Sequence, residues 1–317
     1  MKRIRLGHSQ LEISRIGLGS AAIGGSWEWG WGAQDDQASI RTIHAALDAG
    51  VNWIDTAPVY GCGHSEAVIG RALKETTNKP FIFTKCGSRW NEKRDIVSIL
   101  TPVSIREEVE HSLMRLGVET IDLYQIHWPN PTEEIEEAFA TMADLVKEGK
   151  VSYLGVSNFS VDQMDRIRKI APLTSLQPPY NAVNREAEVT VLPYCLENGI
   201  GSIVYSPMGS GLLTGKMTRE RILNLGKDDW RSDSVQFQEP ALTKNLRIAE
   251  EMSRIARDKG CHTTEVAIAW ALHNPSVSAA IVGMRSEKQL QGVIRGGEIG
   301  LTDEDMTRID LQLEGDD

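Results

Sequence analysis

Three things are scarce in this sequence: paired cysteines, surplus positive charge and long apolar runs. The four cysteines, Cys62, Cys86, Cys195 and Cys261, lie far apart and form neither a CxxC pair nor a metal-ligand cluster. That usage fits reduced thiols in a large intracellular chain, with structural packing as their default role and no metal expected. Lys and Arg number 34 against 44 Asp and Glu, a formal net charge of -10, which disfavours general attraction to nucleic acid or anionic membranes. No stretch of about 18 apolar residues occurs, so no membrane span is expected. The start, Met1-Lys2-Arg3-Ile4-Arg5-Leu6-Gly7, is basic without the apolar region of a secretion signal, and the expected location is the cytoplasm.

What is present is an ordinary globular composition, 41% hydrophobic and 25% charged, arranged as apolar β-branched runs alternating with amphipathic stretches. The runs Arg15–Leu18, Val51–Ile54, Phe81–Phe83, Ile121–Ile126, Val151–Val156, Ser175–Gln177, Gly201–Tyr205 and Ala279–Val282 predict eight strands. Helical patterns cover Asp36–Asp48, Ser65–Thr76, Val103–Leu116, Thr132–Glu148, Ser160–Ile170, Glu186–Glu197, Leu242–Lys259 and Thr263–His273. Capping-box pairs are expected at Ser104 with Glu107 and at Ser160 with Gln163, and Gly50, Gly117, Gly149 and Gly199 mark helix ends.

Eight strands in one unbroken alternation with helices predict an α/β fold, a parallel (β/α)8 TIM barrel, where a doubly wound sheet normally stops nearer six. No linker interrupts it, so residues 1–317 are expected to form one domain. Outside the alternation lie an N-terminal hairpin (Ile4–Leu6 with Leu11–Ser14), further C-terminal helices near Ser286–Ile294 and Thr302–Leu313, and a long polar segment, Met217–Glu239. That segment, which includes Lys227-Asp228-Asp229-Trp230-Arg231, has the length of a lid or of a surface insert.

Two motifs come close to familiar ones and fail on context. Gly17-Leu18-Gly19-Ser20-Ala21-Ala22 fits the dinucleotide turn G-x-G-x-x-A, but Ile23 to Gly32 intervene where a helix should begin at once. Ser210-Gly211-Leu212-Leu213-Thr214-Gly215-Lys216-Met217 approaches a P-loop, with Ser210 in place of the first Gly and Met217 in place of the magnesium-binding hydroxyl.

In a barrel, chemistry sits where strands end. Asp55 and Tyr60 follow the second run, Lys85 the third and His127 the fourth. One charged residue closing a strand usually marks the chain's arrival in solvent; four on adjacent strands suggest a site. Reduction of a carbonyl builds negative charge on oxygen and needs a proton donor. A phenol with a pKa of about 10 serves near neutrality only if a cation stabilises its phenolate. Tyr60 is the expected donor, Lys85 the cation, Asp55 its anchor, and His127 the group that orients the carbonyl oxygen.

At these residues the sequence resembles the aldo-keto reductase superfamily over nearly its whole length. The matching pieces are Asp55-Thr56-Ala57-Pro58-Val59-Tyr60-Gly61 with Gly63-His64-Ser65-Glu66, Thr84-Lys85, Gln125-Ile126-His127-Trp128-Pro129, Gly155-Val156-Ser157-Asn158-Phe159, Tyr205-Ser206-Pro207 and Gly211 to Lys216. The pattern is nearer the bacterial branch of sugar and inositol dehydrogenases and general aldehyde reductases than the mammalian aldose reductases. The resemblance implies an NADP(H)-dependent oxidoreductase that interconverts aldehydes or ketones, sugars and polyols among them, with alcohols. A small carbonyl or alcohol is then its partner, without nucleic acid or membrane.

Ser157, Asn158 and Gln177 are implied to clamp the nicotinamide carboxamide and Tyr205 to stack on the ring, although Asn158 could instead cap the next helix and Tyr205 belong to the core. Ser206, Leu213, Gly215 and Lys216 would follow the pyrophosphate. Gly283, Arg285 and Gln289 match the adenosine-phosphate segment, and Arg285 would clasp a 2′-phosphate, favouring NADP(H) over NAD(H). Where the family often has Asn, four residues after that Gln, this chain has Val293. Trp29, Trp90 and Trp128 are candidates for the substrate rim or for simple packing there. The family's fourth-strand motif ends here in Asn130 instead of Asp. Two further readings are a cofactor-sensing module like the channel β subunits and a barrel in which Lys216 and Arg285 grip a phosphorylated sugar.

Overall fold

The structure, a computed structural model, describes residues 1–226 and 229–313. Twelve strands follow in chain order: β1 (Arg3–Arg5), β2 (Glu12–Ser14), β3 (Ile16–Gly19), β4 (Trp53–Asp55), β5 (Phe81–Cys86), β6 (Ser88–Trp90), β7 (Ile96–Ser98), β8 (Ile121–Ile126), β9 (Val151–Ser157), β10 (Ser175–Gln177), β11 (Gly201–Val204) and β12 (Ala279–Gly283). Strands β3, β4, β5, β8, β9, β10, β11 and β12 pair in parallel in that order, and β12 closes on β3. This is the expected (β/α)8 barrel; seven of its strands contain most of an expected run, and β4 contains the second half of Val51–Ile54.

The lumen explains the failed dinucleotide motif. A Cβ on Gly17 would overlap the Trp53 indole, and one on Gly19 would lie 2.7 Å from Ile281 Cγ2. Both glycines make room for side chains crossing the barrel. Trp53, Phe83, Leu123, Ile203 and Ile281 fill the lumen with Leu6, Leu11 and Ile13 from the hairpin β1–β2. Trp53 Nε1 donates to Ser14 O at 2.9 Å, which fastens the hairpin across the end opposite the site. Each fully buried aliphatic or aromatic side chain of this kind contributes about 1.5–3 kcal/mol.

Outside the strands, most helices lie where the periodicity puts them. Asp36–Asp48 and Thr263–His273 match in full; the second is apolar on every side because it lies between the barrel wall and the helix Ala241–Asp258. Ser160 and Gln163 form their capping box. The helix Pro102–Leu116 begins earlier than expected: Thr101 is the cap, Pro102 opens the helix, and Ser104 sits inside it, donating to Glu108 at 3.0 Å. Gly117 ends it with φ 67, a left-handed geometry that admits glycine without strain. The stretch Glu186–Glu197 is two helices, broken at Thr190.

The antiparallel hairpin β6–β7 was not expected from the sequence. Asn91 Oδ1 nucleates its turn by accepting the N–H groups of Lys93 and Asp95. Met217–Glu239 holds a short helix, Arg219–Leu223, and the 3-10 turns Trp230–Asp233 and Val235–Phe237, with Met217 and Phe237 buried. Lys227 and Asp228 lie outside the described residues. The near P-loop is a 3-10 segment, Gly209–Thr214, with left-handed Ser210 and Gly211 and no helix directly behind it.

Candidate active site

Strand register brings the four expected catalytic residues together. Asp55 is level with Gly19 on β3 and Phe83 on β5, Lys85 is level with Gln125 on β8, and His127 follows the last residue of β8. Tyr60 stands in the turn after β4, which packs backbone on backbone against the loop after β3. Gly61 has φ 65, and a Cβ there would overlap the Gly24 carbonyl, so no side chain can enter and the tyrosine is held close to the barrel.

Lys85 Nζ donates to Asp55 Oδ1 at 2.7 Å, to Thr56 O at 2.9 Å and to Tyr60 Oη at 3.3 Å. The lysine is 1% exposed, and a buried ammonium is tolerable only when paired and hydrogen-bonded in this way. Burial works against its charge, but Asp55 and Tyr60 outweigh that and hold its pKa above the ordinary lysine value. Burial likewise pushes the Tyr60 phenol up, Lys85 pulls it down, and Asp55 pushes it up again. Burial, then the Lys85 charge, keep His127 well below the usual imidazole range and hence neutral. Its ring lies 5.8 Å from that of Tyr60, nearly perpendicular to it. His127 Nδ1 is buried without a partner among the described residues.

The four residues expected around a nicotinamide form one hydrogen-bonded group. Ser157 Oγ donates to Gln177 O at 2.9 Å, Asn158 Nδ2 to Ser157 Oγ and His127 O at 3.0 Å each, and Tyr205 Oη to Asn158 Oδ1 at 2.9 Å. Asn158, with φ 63, faces the site, and Ser160 caps the helix. Gln177 Nε2 donates to Asp55 Oδ2 at 2.8 Å, linking this group to the first. The cluster suits an amide-bearing ring: it offers amide and hydroxyl groups beside a partly exposed tyrosine.

The expected phosphate contacts lie further out. Leu213 is buried, Lys216 is exposed, and Ser206 has φ 53 with its carbonyl held by Asn181 Nδ2. At Gly215 a Cβ would come within 2.8 Å of Ser253 Oγ. Arg285 is engaged by protein. Its Nε donates to Gln34 Oε1 at 2.8 Å, Nη1 to Trp31 O at 2.8 Å and Nη2 to Ala33 O at 2.6 Å, all on the loop after β3. Gln289 Oε1 accepts the Arg285 backbone N–H at 2.7 Å, and around Gly283 the space is open.

Of the expected rim residues, Trp29 and Trp128 are half-exposed. Trp90 on β6 lines an open cavity of about 620 Å³ with Gly61, Cys62, His64, Arg94 and Arg115. The indole nearest Tyr60 is one the sequence did not single out: Trp27, 5.5 Å away between ring centroids, with Trp29 edge-on behind it. The alternation Trp27, Trp29, Trp31 was the available signal. Trp31 in turn meets Trp230 edge-on and carries Arg231 on its face, so the loop after β3 touches the Met217–Glu239 segment. Gln125 was also missed as a site residue, though a lone amide in the apolar run Ile121–Ile126 marks it.

Cys86 is buried against Met142, and burial with the Glu108 charge pushes its thiol well up, which leaves it inert. Among the described residues, no group of three or more His, Cys, Asp or Glu could hold a metal ion, and no helix is long and apolar enough to cross a membrane.

The chain matches the family model described as Aldo/keto reductase family over residues 15–314. It is 40% identical to Aldo-keto reductase YhdN of Bacillus subtilis (strain 168), covering 99% of this chain and 94% of the relative. It is 35% identical to the NADH-specific methylglyoxal reductase of Escherichia coli (strain K12), covering 97% of each. Among solved structures, the glycerol dehydrogenase AKR11B4 from Gluconobacter oxydans superposes with a TM-score of 0.90 at 43% identity, over 98% of this chain and 95% of that one.

Proposed function

The chain belongs to the aldo/keto reductase family, and from that premise we propose that Tyr60 is the general acid and base of an oxidoreductase interconverting aldehydes or ketones with alcohols. The observation that carries this is the distance of 3.3 Å between Tyr60 Oη and a Lys85 ammonium that is itself 2.7 Å from Asp55. A nicotinamide cofactor, when bound, supplies or takes up the hydride.

Everything else falls to this chain. Tyr60 gives its proton to the substrate oxygen as negative charge builds there, and Lys85 stabilises the phenolate left behind. Asp55 fixes Lys85. His127, neutral, donates one ring N–H to the substrate oxygen without competing for its proton. Ser157, Asn158 and Gln177 hold the carboxamide, with Tyr205 against the ring.

For the finer points, we favour NADP(H) on the family resemblance, which gives Arg285 the 2′-phosphate, Gly283 and Gln289 the turn around it, and Ser206, Leu213, Gly215 and Lys216 the pyrophosphate. Reading a phosphate would require Arg285 to exchange its neutral carbonyl acceptors for the charged phosphate oxygens, which a guanidinium fork matches bidentately. The substrates we favour are small oxygenated carbonyls and polyols, of the kind named for the methylglyoxal reductase and glycerol dehydrogenase relatives. Trp29, Trp90 and Trp128, with Trp27, would form the rim. The dispersed, unpaired cysteines support a cytoplasmic location, and the net charge of -10 speaks against nucleic acid as a partner.

The test is loss of nicotinamide absorbance with a panel of aldehydes and ketones, in wild type and Tyr60→Phe. The expected result is turnover that falls by about 10²–10⁴ in the variant. Turnover unaffected by Tyr60→Phe would overturn the assignment.

A further inference from the structure

Gln125 is fully buried in the middle of the network, and the Lys85 Nζ hydrogen bonds go instead to Asp55, Thr56 and Tyr60. Its Nε2 donates to Asp55 Oδ2 at 3.4 Å, and its Oε1 accepts from Gln177 Nε2 at 3.3 Å. Gln177 Nε2 sends its other hydrogen to the same Asp55 oxygen at 2.8 Å. The carboxylate is therefore divided: Oδ1 serves Lys85, and Oδ2 collects both glutamines.

Space has been cleared for this triangle. Gln125 on β8 reaches Gln177 on β10 by crossing β9 at Gly155, with which it is in register. A Cβ on Gly155 would stand 3.0 Å from Gln125 Cγ and 2.5 Å from Ser175 Oγ. The glycine leaves the width that the glutamine side chain fills.

We infer that Gln125 is a positioning residue that couples the nicotinamide clamp to the proton donor through Asp55. The inference rests on the roles proposed above for Tyr60 and Gln177. Two consequences follow from the geometry. Gln125 fixes the amide of Gln177 with its nitrogen toward Asp55, which leaves Gln177 Oε1 to accept from a carboxamide NH₂. Its own N–H also offsets part of the Asp55 charge, which Tyr60 feels alongside that of Lys85 on β5; the other titratable groups near it, His127 after β8 and Tyr205 after β11, are neutral. Any displacement of Gln177 is thus transmitted to the carboxylate that steadies Lys85.

The test compares Gln125→Leu and Gln125→Met with wild type in two measurements: the pH dependence of kcat/KM for alcohol oxidation, and the Kd of NADPH by fluorescence quenching. Removing the amide dipole in Gln125→Leu leaves Asp55 more negative toward Tyr60, so the rising limb, where Tyr60 loses its proton, moves to higher pH by about half a unit. NADPH binding weakens about threefold to tenfold, since Gln177 has lost its guide. Gln125→Met keeps the length without the amide, so its limb moves in the same direction; it also carries the test if the leucine variant does not fold. A wild-type pH limb together with a wild-type NADPH Kd in both variants would overturn the inference while leaving the Tyr60 assignment intact. Failure of the underlying reading shows separately, as a Tyr60→Phe variant that keeps its turnover, and it would overturn both.

Discussion

The two ends of the site are built differently. At the Tyr60 end, Asp55, Lys85, Gln125 and Gln177 project from strands whose register is fixed by backbone ladders, and their bonds run between buried charged and amide groups. At the Arg285 end, the groups sit on loops, and the guanidinium is satisfied by two backbone carbonyls and one side-chain amide. On the proposed roles, the charges that act on the reacting atom are fixed before any ligand arrives. Groups that only recognise are held by neutral acceptors, which a ligand can replace.

The contrast can be broken most directly at Lys85. Lys85→Met keeps the volume and strands a buried carboxylate; it is expected to lower kcat by at least about 10²-fold and to cost about 3–5 kcal/mol of stability, read by denaturant unfolding. Activity within tenfold of wild type would mean that the strand-borne charges are not what drives proton transfer.

Glu108 sharpens the comparison from behind the strands. Both its carboxylate oxygens accept the Gly87 N–H, two residues beyond Lys85, and burial raises its pKa to about 7. The native state therefore keeps its proton where the unfolded chain, near 4.5, has lost it. As pH rises from about 4.5 to about 7 the unfolded state is favoured, and the accumulated cost of up to about 3 kcal/mol persists above 7. Glu108→Gln should remove that slope, so its stability relative to wild type should be greater at pH 8 than at pH 5. Equal differences at the two values would show that Glu108 titrates normally.

At the loop end, Arg285→Ala should weaken NADPH by about tenfold, near 1.4 kcal/mol, and NADH by much less, in fluorescence titrations of both. Equal losses would mean that Arg285 only ties down the loop after β3. The smallest effect is expected at Trp29, whose half-exposed ring stands edge-on to Trp27. Trp29→Ala should leave the melting temperature nearly unchanged and alter KM more than kcat.

The same division governs what could be seen in the sequence. Apolar runs ending in Asp55, Lys85 and His127 were legible because strand periodicity and the polar residue that breaks it are local signals. Pairing across the barrel is not local: Asp55 and Gln177 are 122 positions apart, and nothing in the run around Gln125 says that its amide crosses a bare Gly155. Gly17 and Gly19 looked like a phosphate turn because a glycine that clears space for Trp53 or Ile281 is spelled like one that admits a nucleotide. The hairpin β6–β7 was hidden by its polar turn, and the start of Pro102–Leu116 by a choice between two hydroxyl caps three residues apart. Trp27 was passed over for Trp29 because exposure and contact with Tyr60 cannot be told apart from spacing.

A last consequence concerns traffic. The end of the barrel away from Tyr60 is packed with Trp53, Phe83 and Leu123 and stoppered by the hairpin that Trp53 fastens through Ser14. What opens toward Tyr60 is therefore the opposite mouth, where Trp27 stands 5.5 Å from its ring, and a ligand bound there would have its only approach from that side.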